Sequence, residues 1–339
     1  THDRYDHHLN QLEIIRNQYA SNPQLAICIV FIQQPFHSVL DDYIAGRIDE
    51  ADMLRQTEYF DRWRYDFRLY LPIFQFARDN RIPLVALNID REITDAIKEG
   101  GVESLSQEQK EQLPEEVYRG DEAYHERLRE IFKHHPGATE EKFESFLEIQ
   151  LLWDESMAER AAEWLKQHPQ GKMVILAGSG HILYGSGIPH RLDRRIEVTS
   201  SSVINLEQAY PLQPGLGDYV ILSNKQELPP SGKLGAILDA TASPPKILSF
   251  VPGSGAKKAG LKKNDAIIQI GDTVIDSYAD IRIAMLDMQA EQEIQVKVSR
   301  KRLFGGMKTL DLPAVSYTHL RAHETNPCIS YAVFCLKRG

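Results

Sequence analysis

His181 closes the stretch Gly178-Ser179-Gly180-His181, directly after an apolar run and where a helix should begin. An imidazole at a helix entrance faces N–H dipoles that disfavour its protonation, which keeps it neutral for coordination or for base chemistry. Three more histidines, His2, His7 and His8, sit at the start of the chain, where Thr1-His2 precedes another helical pattern. Two strand-to-helix turns that carry histidines can face one crevice. His7 and His8 are neighbours on one helix and point about 100° apart, so at most one of them serves the same ligand. A carboxylate joins the group. The helix expected over Thr139–His168 has an apolar stripe of Phe143, Leu147, Met157, Ala161 and Leu165, and Gln150 and Asp154 fall on that stripe. A polar group on a buried stripe must be paired or must line a cavity. His2 and His181 as metal ligands, with Asp154 as base or orienting group, would form the site of a metal-dependent hydrolase. A nucleotide cofactor fits poorly, because Gly178, Gly180 and Gly185 miss the dinucleotide spacing.

The elements that must position these groups alternate between helix and strand. Leu9, Leu12, Ile15 and Tyr19 recur at helical spacing and feed the apolar run Leu25–Ile32. Pro83–Asn88 and Met173–Gly178 repeat the buried-strand pattern between helical regions. Continuous apolar strands among helices predict an α/β layer whose mostly parallel sheet is covered on both faces. Aromatics crowd one helical stretch, with Tyr59, Phe60, Trp63, Tyr65, Phe67 and Tyr70 interleaved by Arg62, Arg64 and Arg68. His125, His134 and His135 lie in charged sequence that reads as solvated surface; the run His190, Arg191, Arg194 and Arg195 could hold a carboxylate or propionate, though such a run is more often a solvated helix end.

Beyond a polar, proline-bearing linker at 225–232, the texture changes to short strands, glycine turns and one helix expected over Tyr278–Met288. This second domain, 233–313, resembles a PDZ domain of the circularly permuted bacterial kind, a small α+β fold. The resemblance rests on Leu234-Gly235-Ala236 at the carboxylate-binding loop and on the central run VPGSGAKKAGLKKNDAIIQIGDTVI. It implies that a peptide or protein carboxy terminus adds as a strand beside the loop.

The 339-residue chain has a net charge of −9 and no clustered basic face, which argues against a nucleic-acid partner. The last stretch, 314–339, is expected to be non-native. VSYTHLRAHET back-translates into a transposon-type sequencing adapter, and ISYAVFCLK back-translates into its flow-cell end. Setting that tail aside leaves Cys28 as the lone cysteine, inside an apolar run, where it reads as a small core hydrophobe.

Across residues 1–224 the blocks THDRYDHHLNQLEIIR, QQPFHSVLDDYIAGRID, RWRYDFRLYLPIFQFARDNRIPLVALN, LLWDESMAERAAEWL and VILAGSGHILYGSGIPHRL look like the ChaN-like haem-binding uptake family of the Tiki superfamily. Thr1-His2 matches the end of that family's Gly-Glu-Thr-His opening, His7 and His8 its histidine pair, and Gly178 to His181 its second Gly-x-x-His. The family's first strand and Gly-Glu pair are expected to precede Thr1. Where the family usually shows a glutamate on the next strand, this chain has Val30, which weakens a hydrolytic reading. The resemblance implies haem as ligand, a role in haem and iron uptake, and a bacterial cell-envelope address, periplasmic or as a membrane-anchored lipoprotein. A homodimer is among its implied partners. For haem, the axial candidates are Tyr184 and Tyr65, and a divalent metal is the alternative cofactor.

Overall fold

The computed structural model describes residues 2–135, 137–207, 211–302, 305–316 and the backbone of 331–337. Thr1 and residues 317–330 of the expected adapter lie outside the described residues. In chain order the elements begin with α1 (Tyr5–Ser21), β1 (Leu25–Gln33), α2 (His37–Ile44), α3 (Glu50–Gln56), α4 (Tyr59–Arg62), α5 (Leu71–Asp79) and β2 (Leu84–Asn88). Next come α6 (Arg91–Gly100), α7 (Gln107–Lys110), α8 (Glu122–Lys133), α9 (Glu140–Gln167), β3 (Lys172–Gly178), α10 (Ile188–Asp193), β4 (Thr199–Glu207) and β5 (Tyr219–Ser223). The remainder is β6 (Ala236–Asp239), β7 (Lys246–Phe250), α11 (Gly255–Lys258), β8 (Ala266–Ile270), β9 (Thr273–Val274), α12 (Tyr278–Ala284), β10 (Glu293–Lys301), β11 (Met307–Val315) and β12 (Tyr331–Lys337). The chain divides into two compact units, the first of residues 1–49, 69–227 and 328–339, the second of residues 50–68 and 228–327.

The first unit is built on a sheet in the order β2-β1-β3-β12-β4-β5. The pairs β1–β2, β1–β3 and β4–β5 are parallel, while β12 runs antiparallel to both its neighbours. Residues 25–32 of β1 are all buried, as a strand covered on both faces requires. Val30 takes part in the apolar core beside Val85, Met157 and Ile175, so the position where the resemblance expects a glutamate holds a core side chain. β12 comes from the stretch expected as adapter, and its backbone fills the place between β3 and β4.

Helix α9 covers this sheet. Its start is fixed by Thr139, whose side chain accepts from the Lys142 N–H and so satisfies one of the orphan donors of the first turn. Phe143, Leu147, Met157, Ala161 and Leu165 are buried along it, and Asp154 and Glu155 are buried with them. Glu155 forms ion pairs with Arg191 Nε at 3.1 Å and Arg195 Nη2 at 2.6 Å and accepts the Tyr118 N–H at 2.8 Å. Arg191 is fully buried, contrary to the solvated helix end expected of its run, because Glu155 and the Gly187 and Tyr118 carbonyls meet its guanidinium inside.

The second unit is a sheet in the order β11-β10-β8-β7-β6, with β9 paired to β8, around a core of Leu234, Ile247, Ile267, Ile281, Val296 and Val298. Helix α12 opens with a reciprocal capping box between Ser277 and Asp280. It ends at Ala284, short of the expected Met288, because the following residues turn and the Met288 carbonyl accepts from the Gly232 N–H at 2.7 Å. Residues 50–68 belong to this unit although they lie within the first domain in sequence.

Candidate functional site

The carboxyl end of β3 is where the histidines meet. Gly178 ends that strand, and a Cβ placed on it would lie 3.5 Å from His181 Cδ2 and 3.8 Å from His2 Cε1. The two imidazoles therefore flank one point, and glycine leaves that point open. Asp154 comes from α9 beneath: its Oδ1 takes His181 Nδ1 at 2.6 Å, and its Oδ2 takes the Tyr124 hydroxyl at 2.5 Å. With a carboxylate as partner, Nδ1 carries the ring hydrogen, which leaves Nε2 as the ring atom directed away from Asp154. Burial, reinforced by the Asp154 charge, pushes the Tyr124 phenol up, so it stays a donor in this relay. The fully buried Asp154 is thus the paired polar group its stripe demanded, and it fixes the His181 ring.

The turn after β3 differs from the expectation. His181 does not open a helix; 3-10 turns at Ser179–His181 and Leu183–Gly185 come first, and α10 starts only at Ile188. Gly185, Ser186 and Gly187 delay it, since both glycines have positive φ. At Gly187, φ is +68° and a Cβ would sit 2.3 Å from the His181 carbonyl oxygen. Gly187→Ala is therefore expected to cost about 1–3 kcal/mol from backbone strain alone, with the clash adding to it and shifting His181. A urea melt of the variant reads this, and an unchanged midpoint would show that the turn relaxes freely.

Tyr184 also has a left-handed backbone, with φ +62°, which is uncommon for a residue with a Cβ. It stands 41% exposed, with its hydroxyl donating to Gln213 Oε1 at 3.0 Å and the Arg127 guanidinium 5.1 Å from its ring. It lines an open hollow of about 570 Å³ with Asp121, Ala123, Arg127, Ser186 and His190. His190 Nδ1 is buried and lacks a hydrogen-bond partner among the described residues.

Both residues of the histidine pair in α1 are buried. The His8 ring packs against Tyr70 at 4.4 Å, its Nδ1 lies 2.9 Å from Gln11 Oε1 and its Nε2 3.3 Å from the His2 carbonyl. Burial first, then neighbouring cationic charge, lowers His2 to about 3 and His7 to about 3, and burial lowers His8 to about 4. In the unfolded chain these rings take up protons near pH 6.5, which the folded protein refuses until near pH 4 and below. Stability present above pH 6.5 is therefore lost on acidification between about pH 6.5 and 3, each ring contributing up to about 1.4 kcal/mol per pH unit. Urea melts from pH 7 to 4.5 measure it; a flat profile would mean that the rings are charged or solvated in the fold.

Of the aromatic run, Tyr70 belongs to the first unit and touches the histidines, whereas Tyr59, Phe60, Trp63, Tyr65 and Phe67 belong to the second. Tyr59, Phe60 and Phe67 are buried packing residues, and the half-buried Tyr65 lies 5.4 Å from the Trp63 ring. Gly180 lies in the first 3-10 turn between Gly178 and His181. Among the described residues no three His, Cys, Asp or Glu side chains gather as a metal cluster. Tyr124, Arg127 and the inward role of His190 were not singled out from sequence. Tyr124 and Arg127 share one face of α8 with Leu128, and the i, i+3 spacing was the available signal.

The model of the haem-binding uptake family, Tiki superfamily, ChaN, matches residues 1–192, and a PDZ domain model matches residues 232–312. A solved structure described as cofacial haem binding to ChaN of Campylobacter jejuni is 18% identical, covering 65% of this chain and 83% of that one with a TM-score of 0.50, a likeness of fold. The PDZ domain of the carboxy-terminal protease from Vibrio cholerae, in complex with peptide, is 20% identical over 27% of this chain and 98% of its own, with a TM-score of 0.22 too low to bear on the argument. No curated protein matches.

Proposed function

Since the chain belongs to the ChaN family of haem-binding uptake proteins and carries a PDZ domain, we propose that its first unit takes up haem for iron acquisition and that its PDZ domain holds the terminus of a partner chain. The observation that carries the haem reading is the hollow beside Tyr184. A phenol at the rim, a guanidinium beside it and an imidazole nitrogen without a partner are the donor set that an anionic iron porphyrin needs. Bound haem would bring an iron able to take a phenolate or imidazole ligand. Tyr184 would supply that ligand, Arg127 would neutralise a propionate, and the relay from Tyr124 through Asp154 would keep His181 in one orientation beside His2.

Iron uptake goes with a cell-envelope address, periplasmic or lipid-anchored; among the described residues no helix is long and apolar enough to cross a membrane. A homodimer is supported by β5, an edge strand that exposes Tyr219, Val220 and Leu222. The hydrolase alternative draws on the two imidazoles at Gly178 with Asp154 behind them, and predicts zinc- or manganese-dependent turnover that His181→Ala abolishes.

Haemin titration of the full chain tests the main reading. A Soret band distinct from that of free haemin, saturating at a fixed ratio, is expected, and Arg127→Ala should weaken binding about tenfold, equivalent to ~1.4 kcal/mol. A spectrum equal to that of free haemin at every ratio would refute it. Sedimentation velocity on the same samples reports whether a dimer forms.

A further inference from the structure

The second unit contains a groove of about 330 Å³ between β6 and α12. Among the described residues β6 ends its sheet and pairs only with β7, so its other edge offers backbone N–H and C=O groups to an added strand. Gly235, at φ +75°, turns the chain into that edge, next to the buried Leu234. Leu238, Val251, Ile281, Met285 and Leu286 make the groove apolar.

The groove is completed from elsewhere in the sequence. Phe60, Asp66 and Arg68 line it, and all three lie in the segment 50–68, inside the stretch matched by the haem-binding family. Polar contacts tie that segment to this unit. Arg55 Nε reaches Asp280 Oδ1 at 3.2 Å, Arg68 Nη1 donates to the Pro229 carbonyl at 2.8 Å, and the Arg282 guanidinium lies 4.8 Å over the Phe60 ring. The charge lining is one-sided: Arg68, Arg282 and Lys233 stand against Asp66. Asp66 is itself engaged by Arg68 at 2.6 and 3.1 Å and also feels the Arg282 charge, so one carboxylate is shared between two guanidiniums. In a chain of net charge −9, this is a local cationic patch.

We propose that this composite groove selects a peptide carboxy terminus with an apolar last residue and an acidic side chain upstream, and that the 50–68 segment, through Phe60 and the arginine it supports, sets that selectivity. The proposal rests on the peptide-binding reading given above. The apolar lining accounts for the last residue, and charge complementarity with Arg282 accounts for the acidic one. Phe60 holds the Arg282 guanidinium by its ring face, so the acidic preference depends on a residue outside the PDZ domain.

The test uses the full chain and fluorescein-labelled peptides that end in leucine, with either glutamates or lysines upstream, each as free acid and as amide. At low salt the glutamate free acid is expected to bind at least about tenfold tighter than its lysine counterpart, and Arg282→Glu is expected to reverse the order. Phe60→Ala should shrink the discrimination, and Phe60→Tyr, which keeps a ring, should retain it, provided thermal melts show both variants folded. Equal binding of the two free acids, or discrimination untouched by Phe60→Ala and Arg282→Glu, overturns the composite groove while leaving peptide binding intact. If no free-acid peptide binds better than its amide, the peptide reading itself falls.

Discussion

Tyr184→Phe is expected to strip the Soret signature from the haemin complex and to weaken binding by at least about tenfold, which is ~1.4 kcal/mol or more. The substitution removes one oxygen and leaves the ring, so the packing of Arg127 over it at 5.1 Å persists. The same oxygen donates to Gln213 Oε1 at 3.0 Å, so Gln213→Ala, which removes that bond and leaves the phenol, should keep the band if ligation is what Tyr184→Phe removes. Tyr219→Phe, on the exposed face of β5, is the control and should bind as the parent does. Should Tyr184→Phe titrate like the parent while His181→Ala loses the band, ligation belongs to the imidazoles around Gly178. If neither variant changes the spectrum, both placements are wrong.

The second large effect is on stability. Glu155→Ala should destabilise the first unit by about 3–5 kcal/mol, the range for removing one partner of a buried ion pair. Two features place this case at the upper end. Arg191 would remain buried with its charge uncompensated, and the Tyr118 N–H would lose its acceptor. Arg91→Ala, which breaks an exposed pair with Asp95 at 3.1 Å, should move the same urea midpoint by less than about 1 kcal/mol. Equal effects from the two substitutions would mean that Glu155 is hydrated in solution.

The strands were readable because β1 and β3, covered on both faces, have nothing but apolar side chains through their centres, and that pattern is local. Asp154 was readable for the complementary reason, as a charge on an apolar stripe. Glu155, its neighbour, was not: on a helix surface it looks like any solvated carboxylate until Arg191 and Arg195 arrive from α10 and its end. The turn after β3 misled because a helix start is signalled by local pattern, whereas Gly185 and Gly187 permit backbone angles that the pattern does not encode. His2 and His181 both flank Gly178 at the end of β3, although only His181 follows a strand among the described residues. The aromatic run divided between the units because its partners lie more than two hundred residues away, as with Arg282 over Phe60.

Segment 50–68 has a further consequence for how this protein is made. On the ribosome, Tyr59 and Phe60 emerge long before the strands and the helix that cover them have been translated. Until then the nascent chain carries an uncovered aromatic surface of the kind that invites aggregation or chaperone capture. A fragment that stops ahead of Leu234 would keep that surface permanently, so expression trials of that isolated amino-terminal fragment should yield sticky material that the longer chain does not.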